Sequence, residues 1–232
     1  MSIKDKYYIK EIDYNTAENI VVKCHYAHRK ASCIRAFGLF SRTPNRIVGV
    51  VIYGMPVNHV LCEELCGYEE RNNIYELTRL YVDDGLEKNL ESYLVGNTLK
   101  LLDREIIVSY SDLDMNHVGI IYQATNFLYT GLSSSGHKDY ELREGNLRLH
   151  NKTLFDKFGN AGNIKQAIEN GVPITIKERS RKHRYVYFNC KGKRKKEIME
   201  KLKYPILPYP KQDGAVPITS NININDGKRG LF

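Results

Sequence analysis

The stretch IYELTRLYVDDGLEKNLESYLVGNTLKLLDREIIVSYSD, residues 74–112, decides the fold of this chain. Its first third alternates β-branched and aromatic residues and reads as a strand running into a loop. LESYLVGNTLKLLDR then places Leu90, Leu94, Leu101 and Leu102 near helical spacing. Asn89 stands where an N-cap is needed, its short side-chain oxygen able to accept from first-turn amides. IIVSYSD (106–112) is a continuous apolar run suited to a strand covered on both faces. Beyond it, VGIIYQATNFLYTGL predicts a helix with Ile121, Ala124 and Leu128 on one face and Gly131 as its stop. Strand, loop, helix, strand, helix describes an α/β sheet that presents a helix N-terminus to an anion such as a pyrophosphate.

Working outward, KYYIKEI reads as a first strand, and NTAENIVVKCHYAHR as a helix starting near Asn15 or Thr16. CIRAFGLFS and RIVGVVIYGMP pair as a hairpin across SRTPNR. Residues 57–73 read as an irregular connection containing CEELC. Cys62 and Cys66 alone do not make a structural zinc site, which needs four ligands. On the other side, residues 141–182 read as a small basic insertion with two helical patterns, around KTLFDKF and NIKQAIENG, the second stopped by Gly171. RYVYF then returns as the last strand of the sheet. The expected organisation is one α/β domain over 1–210, a mixed central sheet flanked by helices, with the insertion before its last strand. Residues 211–232 lack apolar periodicity and read as a loose tail.

Composition bounds the function. The chain has 232 residues, 42% hydrophobic, with mean hydropathy −0.46, and no apolar run long enough to span a bilayer. The charged start MSIKDKYYIKEID lacks a signal-peptide core, and five cysteines suggest no disulfide framework, so a cytoplasmic protein is expected. Net charge is +8. The charge concentrates in RSRKHR (179–184) and KGKRKKEIMEK (191–201), on either side of an aromatic strand. A folded basic surface of that kind suits a polyanion, and Arg179, Arg181, Lys182 and Arg184 are its candidate phosphate contacts.

The element order resembles the GNAT acyltransferase fold. That family's pyrophosphate loop usually reads Gln/Arg-x-x-Gly-x-Gly/Ala, whereas this chain has KNLESY (88–93), without either glycine. A narrower resemblance accounts for the departure. CHYAHR, FGLF with VGVVIYG, ELTRLYVDD, KNLESYLVG, VSYSD, YQATNFLYTG, KHRYVYF and KYPILPYPK occur in that order. Together they resemble the Mom family of phage DNA-modification proteins over about residues 20 to 210. The resemblance implies a GNAT-like enzyme that adds a carbamoylmethyl group to the exocyclic amine of adenine in phage DNA, blocking host restriction. It implies acetyl-CoA or a related acyl-CoA, double-stranded DNA as partner, the host cytoplasm as compartment, and iron as a further cofactor.

Candidate roles follow residue by residue. His25 and Tyr26, the family's HY pair, end a helix and suit a base or metal ligand at the substrate mouth. Their alternative is a helix-terminal histidine set by the helix dipole. Glu76 and Arg79 lie three apart on a strand, which predicts opposite faces, with one of them toward the cleft. Asp112 ends the apolar strand, where α/β crevices open. His25 and Asp112 are the natural iron ligand types. Tyr122 and Tyr129, seven apart and so almost two helical turns, fall on the same face, and either suits the general acid that such a tyrosine provides in GNAT enzymes. Lys88, Asn89, Ser92 and Tyr93 are the candidate anion cradle. Two other readings stay open beside DNA modification: an acyl-CoA N-acyltransferase acting on a protein or small amine, and a basic DNA-binding protein without catalysis.

Overall fold

A computed structural model describes residues 2–25, 29–113, 116–144, 147–149 and 151–211. A short helix α1 (Ile3–Lys6) leads into β1 (Tyr7–Glu11), α2 (Tyr14–Cys24), β2 (Arg35–Arg42), β3 (Asn45–Gly54) and α3 (His59–Cys66). Then come β4 (Ile74–Val82), α4 (Leu90–Thr98), β5 (Ile106–Asp112), α5 (Ile120–Ala124) and β6 (Leu128–Leu132). The last part holds β7 (Lys138–Glu144), β8 (Leu147–Leu149), α6 (Asn151–Phe158), α7 (Ala161–Glu169), β9 (Ile174–Glu178), β10 (Lys182–Phe188) and α8 (Gly192–Lys201). Seven strands form one mixed sheet in the order β1-β2-β3-β4-β5-β10-β6, in which only the β4–β5 pair is parallel. This is the mixed α/β sheet that the central stretch predicts.

Helices cover both faces. On one side Leu90, Leu94 and Val95 of α4 pack over Tyr75, Leu77, Ile107 and Tyr185. On the other, Leu61, Leu65 and Cys66 of α3 and Ile198 of α8 pack on Ile74, Ile106, Val108 and Val186. Ala17 and Val21 of α2 cover Ala36, Val50 and Ile52 on that same face. Ile106, Ile107 and Val108 are apolar in succession because both faces of β5 are roofed there.

Three expectations need correcting. First, the supposedly irregular CEELC connection is helix α3. Leu61, Cys62, Leu65 and Cys66 recur one turn apart and are all buried, a pattern that burial turns into a helix even in a short segment. Burial pushes the Cys66 thiol up to about 12, leaving an inert core group. Second, the helix read through residues 118–132 stops at Ala124. Asn126 adopts a left-handed conformation (φ 62°), and Leu128–Leu132 is strand β6, with Gly131 inside it. Third, the basic segment before the last strand is more than two helices. α6 and α7 form where the periodicity places them, with Gly171 just past the end of α7 (φ 86°), but they pack on a separate three-stranded sheet in the order β8-β7-β9. Tyr140, Leu142, Leu154, Ile164 and Ile174 make its small core. β10 is the last strand among the described residues, yet it lies inside the main sheet, between β5 and β6. The tail expected over 211–232 lies outside the described residues, apart from Lys211.

Candidate active site

β4 and β5 are paired only where Ile74–Glu76 meets Ile106–Val108. Past Glu76 the ladder between them ends, and the sheet opens a wedge. Ser109 sits at its apex, its hydroxyl donating to the Leu77 carbonyl across the gap at 3.2 Å. Candidate residues gather on the two sides of this opening.

On the face of α2, α3 and α8, a bulge in β4 arranges the charges. Ile52 of β3 faces Arg79 and Tyr53 faces Leu77, so Thr78 is an extra residue in the register. Its hydroxyl lies 3.2 Å from the Ile52 carbonyl and 3.1 Å from that of Ser32. The extra residue reverses the alternation. Leu77 and Leu80 both join the core under α4, while Glu76 and Arg79 come onto the same opposite face. The predicted separation of these two is therefore corrected: Arg79 acts electrostatically on Glu76. Glu76 is half-buried, and desolvation pushes its pKa above the usual carboxylate range. The Val57 backbone N–H, Lys182 and Arg79 only partly oppose that rise.

Asp112 ends β5 on this face. Its Oδ1 accepts from the Ser180 hydroxyl at 3.1 Å, and its Oδ2 lies 3.7 Å from Lys182 Nζ. Lys182 thus acts on both Asp112 and Glu76, which ties one of the candidate phosphate contacts to the site. Tyr110, two residues before Asp112 and on the same side of the strand, has its phenol pushed well up by burial. Sequence reasoning passed over Tyr110, although strand alternation from Asp112 points to it. His25 is buried at the C-terminal cap of α2, its backbone N–H donating to Val21 O at 3.1 Å. Its neighbour Cys24 interacts with Tyr81 of β4, which brings the end of α2 to this face. Tyr26 lies outside the described residues.

On the face of α4 and α5, the two candidate tyrosines part company. Tyr122 is on α5, its ring 5.3 Å from Tyr185 and 5.4 Å from Phe127. Tyr129 is on β6, and its hydroxyl hydrogen-bonds His183 Nδ1 at 2.9 Å. His183 is fully buried, which lowers its pKa and keeps the ring neutral. Its Nε2 has no partner among the described residues.

The anion cradle differs in detail from its expected form. Asn89 does occupy the N-cap of α4, but in a left-handed conformation (φ 69°) and with no side-chain capping bond. Its carbonyl instead accepts from Ser92 Oγ at 3.0 Å and Tyr93 N at 2.9 Å. No side chain of the N-cap residue therefore occupies the first-turn amides. Beside them runs a groove of about 380 Å³, lined by Asn89, Ser92, Tyr93, Lys100, Asn126 and Tyr187 among others. Lys88 is exposed next to it. These groups suit an acyl-CoA: amides and lysines for phosphates, with a groove leading toward α5. Iron fits poorly. Among the described residues no group of three or more His, Cys, Asp or Glu side chains could hold a metal ion, and Asp112 is engaged by Ser180 and Lys182.

The basic cluster also divides. Arg179 pairs with Asp139 at 2.8 Å and remains half exposed, and Arg181 donates to the Ser133 carbonyl at 2.7 Å. Arg184 turns inward. It is buried, bonded to Thr130 Oγ1 at 3.0 Å and Thr130 O at 3.1 Å, and stacked 3.5 Å from the centre of the Tyr204 ring. It does not offer its charge to a phosphate.

The chain matches the Mom protein family over residues 6–211. It belongs to that family. This Mom-family protein is 28% identical over 205 residues to the methylcarbamoylase mom of Escherichia phage Mu, covering 84% of this chain and 80% of that protein. Among solved structures it is similar to a ribosomal-protein-S5-alanine acetyltransferase from Vibrio fischeri, with TM-score 0.44 and 11% identity over 79% of this chain and 93% of that one. It is likewise similar to Arabidopsis thaliana NAA60 in complex with acetyl-CoA, with TM-score 0.43 and 10% identity over 78% and 99% of the two chains. Among the described residues no helix is long and apolar enough to cross a membrane.

Proposed function

We propose that this protein is a transferase that places a carbamoylmethyl-type group on the exocyclic amine of adenine in phage DNA, protecting it from host restriction. The observation that carries the reading is family membership over residues 6–211. The similarity to a phage methylcarbamoylase and the two-sided arrangement around the wedge support it.

The chemistry makes specific demands. The adenine amine is a weak nucleophile because its lone pair is delocalised into the ring. As its nitrogen bonds to the donor carbon, its N–H becomes acidic and needs a base. Glu76 has the character required: a carboxylate whose desolvation raises its proton affinity toward neutral pH. Lys182, close to both Glu76 and Asp112, keeps Asp112 oriented and offsets their combined charge. His25 borders the same face. An acyl-CoA would lie on the opposite side, along the groove at Asn89–Tyr93 with Lys88 beside it; attack on its thioester carbonyl alone releases the CoA thiol and leaves an N-acyl group, so a carbamoylmethyl product requires a donor activated at the methylene carbon of an existing carboxamide. On that side Tyr122 or Tyr129 would protonate the leaving group. Tyr129 is braced by His183, and Tyr122 by Tyr185 and Phe127.

Adenine in a duplex must leave the stack to reach Glu76, at a cost of a few kcal/mol. Phosphate contacts from Arg179, Arg181 and Lys182, together with the small second sheet and its helices, are proposed to offset that cost and hold the duplex. The test is an Asp112→Asn variant expressed beside a reporter plasmid. It should fold normally and leave the adenines unmodified, whereas the unaltered protein adds a carbamoylmethyl mass. Modification of a protein or small amine instead, with adenine untouched, would move the assignment to an N-acyltransferase.

A further inference from the structure

A histidine nitrogen without a partner lies in the core beside one of the two candidate acids. His183 is fully buried, with Nδ1 at 2.9 Å from the Tyr129 hydroxyl. Its Nε2 meets no hydrogen-bonding atom among the described residues. A buried nitrogen left in this way destabilises the fold, so packing alone favours an apolar side chain at this position. Strand register sets the pair at the wedge. Tyr129 of β6 faces Tyr185 of β10, and Tyr185 faces Ser109, the residue at the apex. One row further out, His183 stands between Leu132 and Ser111. The Ser111 hydroxyl is turned to the His117 carbonyl at 2.8 Å, which leaves Tyr129 as the group that engages the imidazole.

The orphaned nitrogen decides the tautomer. A neutral imidazole carries a single N–H, on one nitrogen or the other. With the hydrogen on Nε2, a buried donor would have no acceptor. With the hydrogen on Nδ1, the unpaired atom is an acceptor, and Nδ1–H donates to Tyr129 Oη. Buried N–H groups without acceptors are rare in folded proteins, rarer than acceptors without donors. The second tautomer is therefore the one that this site selects. It leaves the hydrogen of the Tyr129 hydroxyl directed away from His183 and free to be given up.

We propose that His183 is a positioning residue whose Nδ1–H, donated to the Tyr129 hydroxyl, makes Tyr129 rather than Tyr122 the acid of the transfer. This rests on the transferase reading above and adds how its acid is prepared. In the step, the Tyr129 O–H bond breaks and its proton passes to the leaving group of the carboxamide donor. The electron pair stays on the phenolate oxygen, and Nδ1–H holds that phenolate until a proton returns from water. A donor on the oxygen favours the charged form, which is what a buried phenol lacks. Burial pushes the Tyr129 phenol up, and the charges of Arg181 and Arg184 oppose that rise. His183 adds a directed hydrogen bond to those two charges.

Two readouts on the full chain test this. In isotope-labelled protein, long-range proton–nitrogen NMR reports which ring nitrogen of His183 carries the hydrogen. Nδ1 is expected, and hydrogen on Nε2 overturns the proposal whatever the activity. The second readout is the modified fraction of adenine in plasmid DNA shortly after induction, by nucleoside mass. Tyr129→Phe should lower it at least about tenfold. His183→Leu fills the site with carbon but offers no donor, and should lower it as much. His183→Asn puts an amide N–H near the place of Nδ1, so it should keep at least about threefold more product than the leucine variant. As a smaller and polar side chain, asparagine should nevertheless melt lower than leucine. Product that follows melting temperature, leucine above asparagine, would make His183 a packing residue and overturn the proposal. Full modification by Tyr129→Phe would return the acid to Tyr122. Unmodified adenine beside abundant, folded wild-type protein removes the transferase reading, and this proposal with it.

Discussion

Glu76 carries a conflict that can be measured. Its desolvation raises its pKa, so the protonated form is favoured more in the folded chain than in the unfolded one. The stability from that protonation is fully present below the ordinary carboxylate range and is lost as pH rises through the folded value. Glu76→Gln should therefore melt like the wild type in acid. Near neutrality it should be more stable by about 1 kcal/mol, or about 2–4 °C. Transfer should move the opposite way, falling by about 10² to 10⁴ in rate with the base removed. A paired melting curve and product assay check both signs. A variant that loses stability at neutral pH would show that Glu76 is a structural pair member. Glu76 is a site candidate on sequence alone, but its relation to Arg79 was not legible. Alternation from Glu76 puts Arg79 on the far face, and only the extra residue Thr78 returns it. A bulge leaves no mark in composition, because it is fixed by the partner strand's register. Tyr122 and Tyr129 misled for a related reason. Seven residues apart is two helical turns only if the helix continues, and Asn126 ends that possibility with its left-handed turn.

At the scale of elements, α4 and α8 cover opposite faces of the sheet. The first-turn amides of α4 lack a side-chain cap and lie beside Lys88 and the groove. Acetyl-CoA should raise the melting temperature by preferential binding to the folded state, by about 2.7 kcal/mol at a hundredfold excess over Kd. Lys88→Glu should abolish most of that shift by reversing the local charge. No shift at saturating acetyl-CoA would place the donor elsewhere. α8 looks like plain basic sequence, and its packing role was hidden. Arg194 spans Glu70 and Glu105 at 2.8 and 2.7 Å, and Lys201 reaches Glu70 at 3.2 Å. The Arg194 hydrogen bonds hold the Glu70 carboxyl down to about 2. The resulting stability is present above the ordinary carboxylate range and is lost as pH falls through about 2. Arg194→Ala should cost about 1 kcal/mol near neutrality, because the Glu70 carboxylate is left with Lys201 and Asn73 alone. The cost should shrink in acid. A pH-independent loss, seen in urea melts, would point to packing alone. The charges of this helix were visible in the sequence; their carboxylate partners, 89 to 131 residues away, were not.

Across the whole molecule, net charge +8 gives a prior for polyanion binding, and the structure decides which charges can serve. Arg179, Arg181 and Lys182 stay at the surface end of β10, while Arg184 is enclosed by Thr130 and Tyr204. Changing the first three to Ala should weaken DNA binding alike across sequences and reduce the salt slope by up to about 2.7, at about 0.9 per lost phosphate contact. Arg184→Ala should leave the slope unchanged and lower the melting temperature instead. An unchanged slope in the triple variant would make the cluster a solvated face. The sheet's central strands and helix α4 could be read from residues 74–112, because apolar periodicity encodes strands covered on both faces, whereas α3 was read as an irregular connection and α8 as a basic run. The second sheet could not be read, since its strands are short and polar and are assembled by α6 and α7. The central claim has one direct measurement: nucleoside mass analysis of plasmid DNA from cells expressing this chain. The account predicts a fraction of adenine carrying one carbamoylmethyl mass, absent from cells expressing Glu76→Gln. Unmodified adenine beside abundant, folded wild-type protein would contradict it.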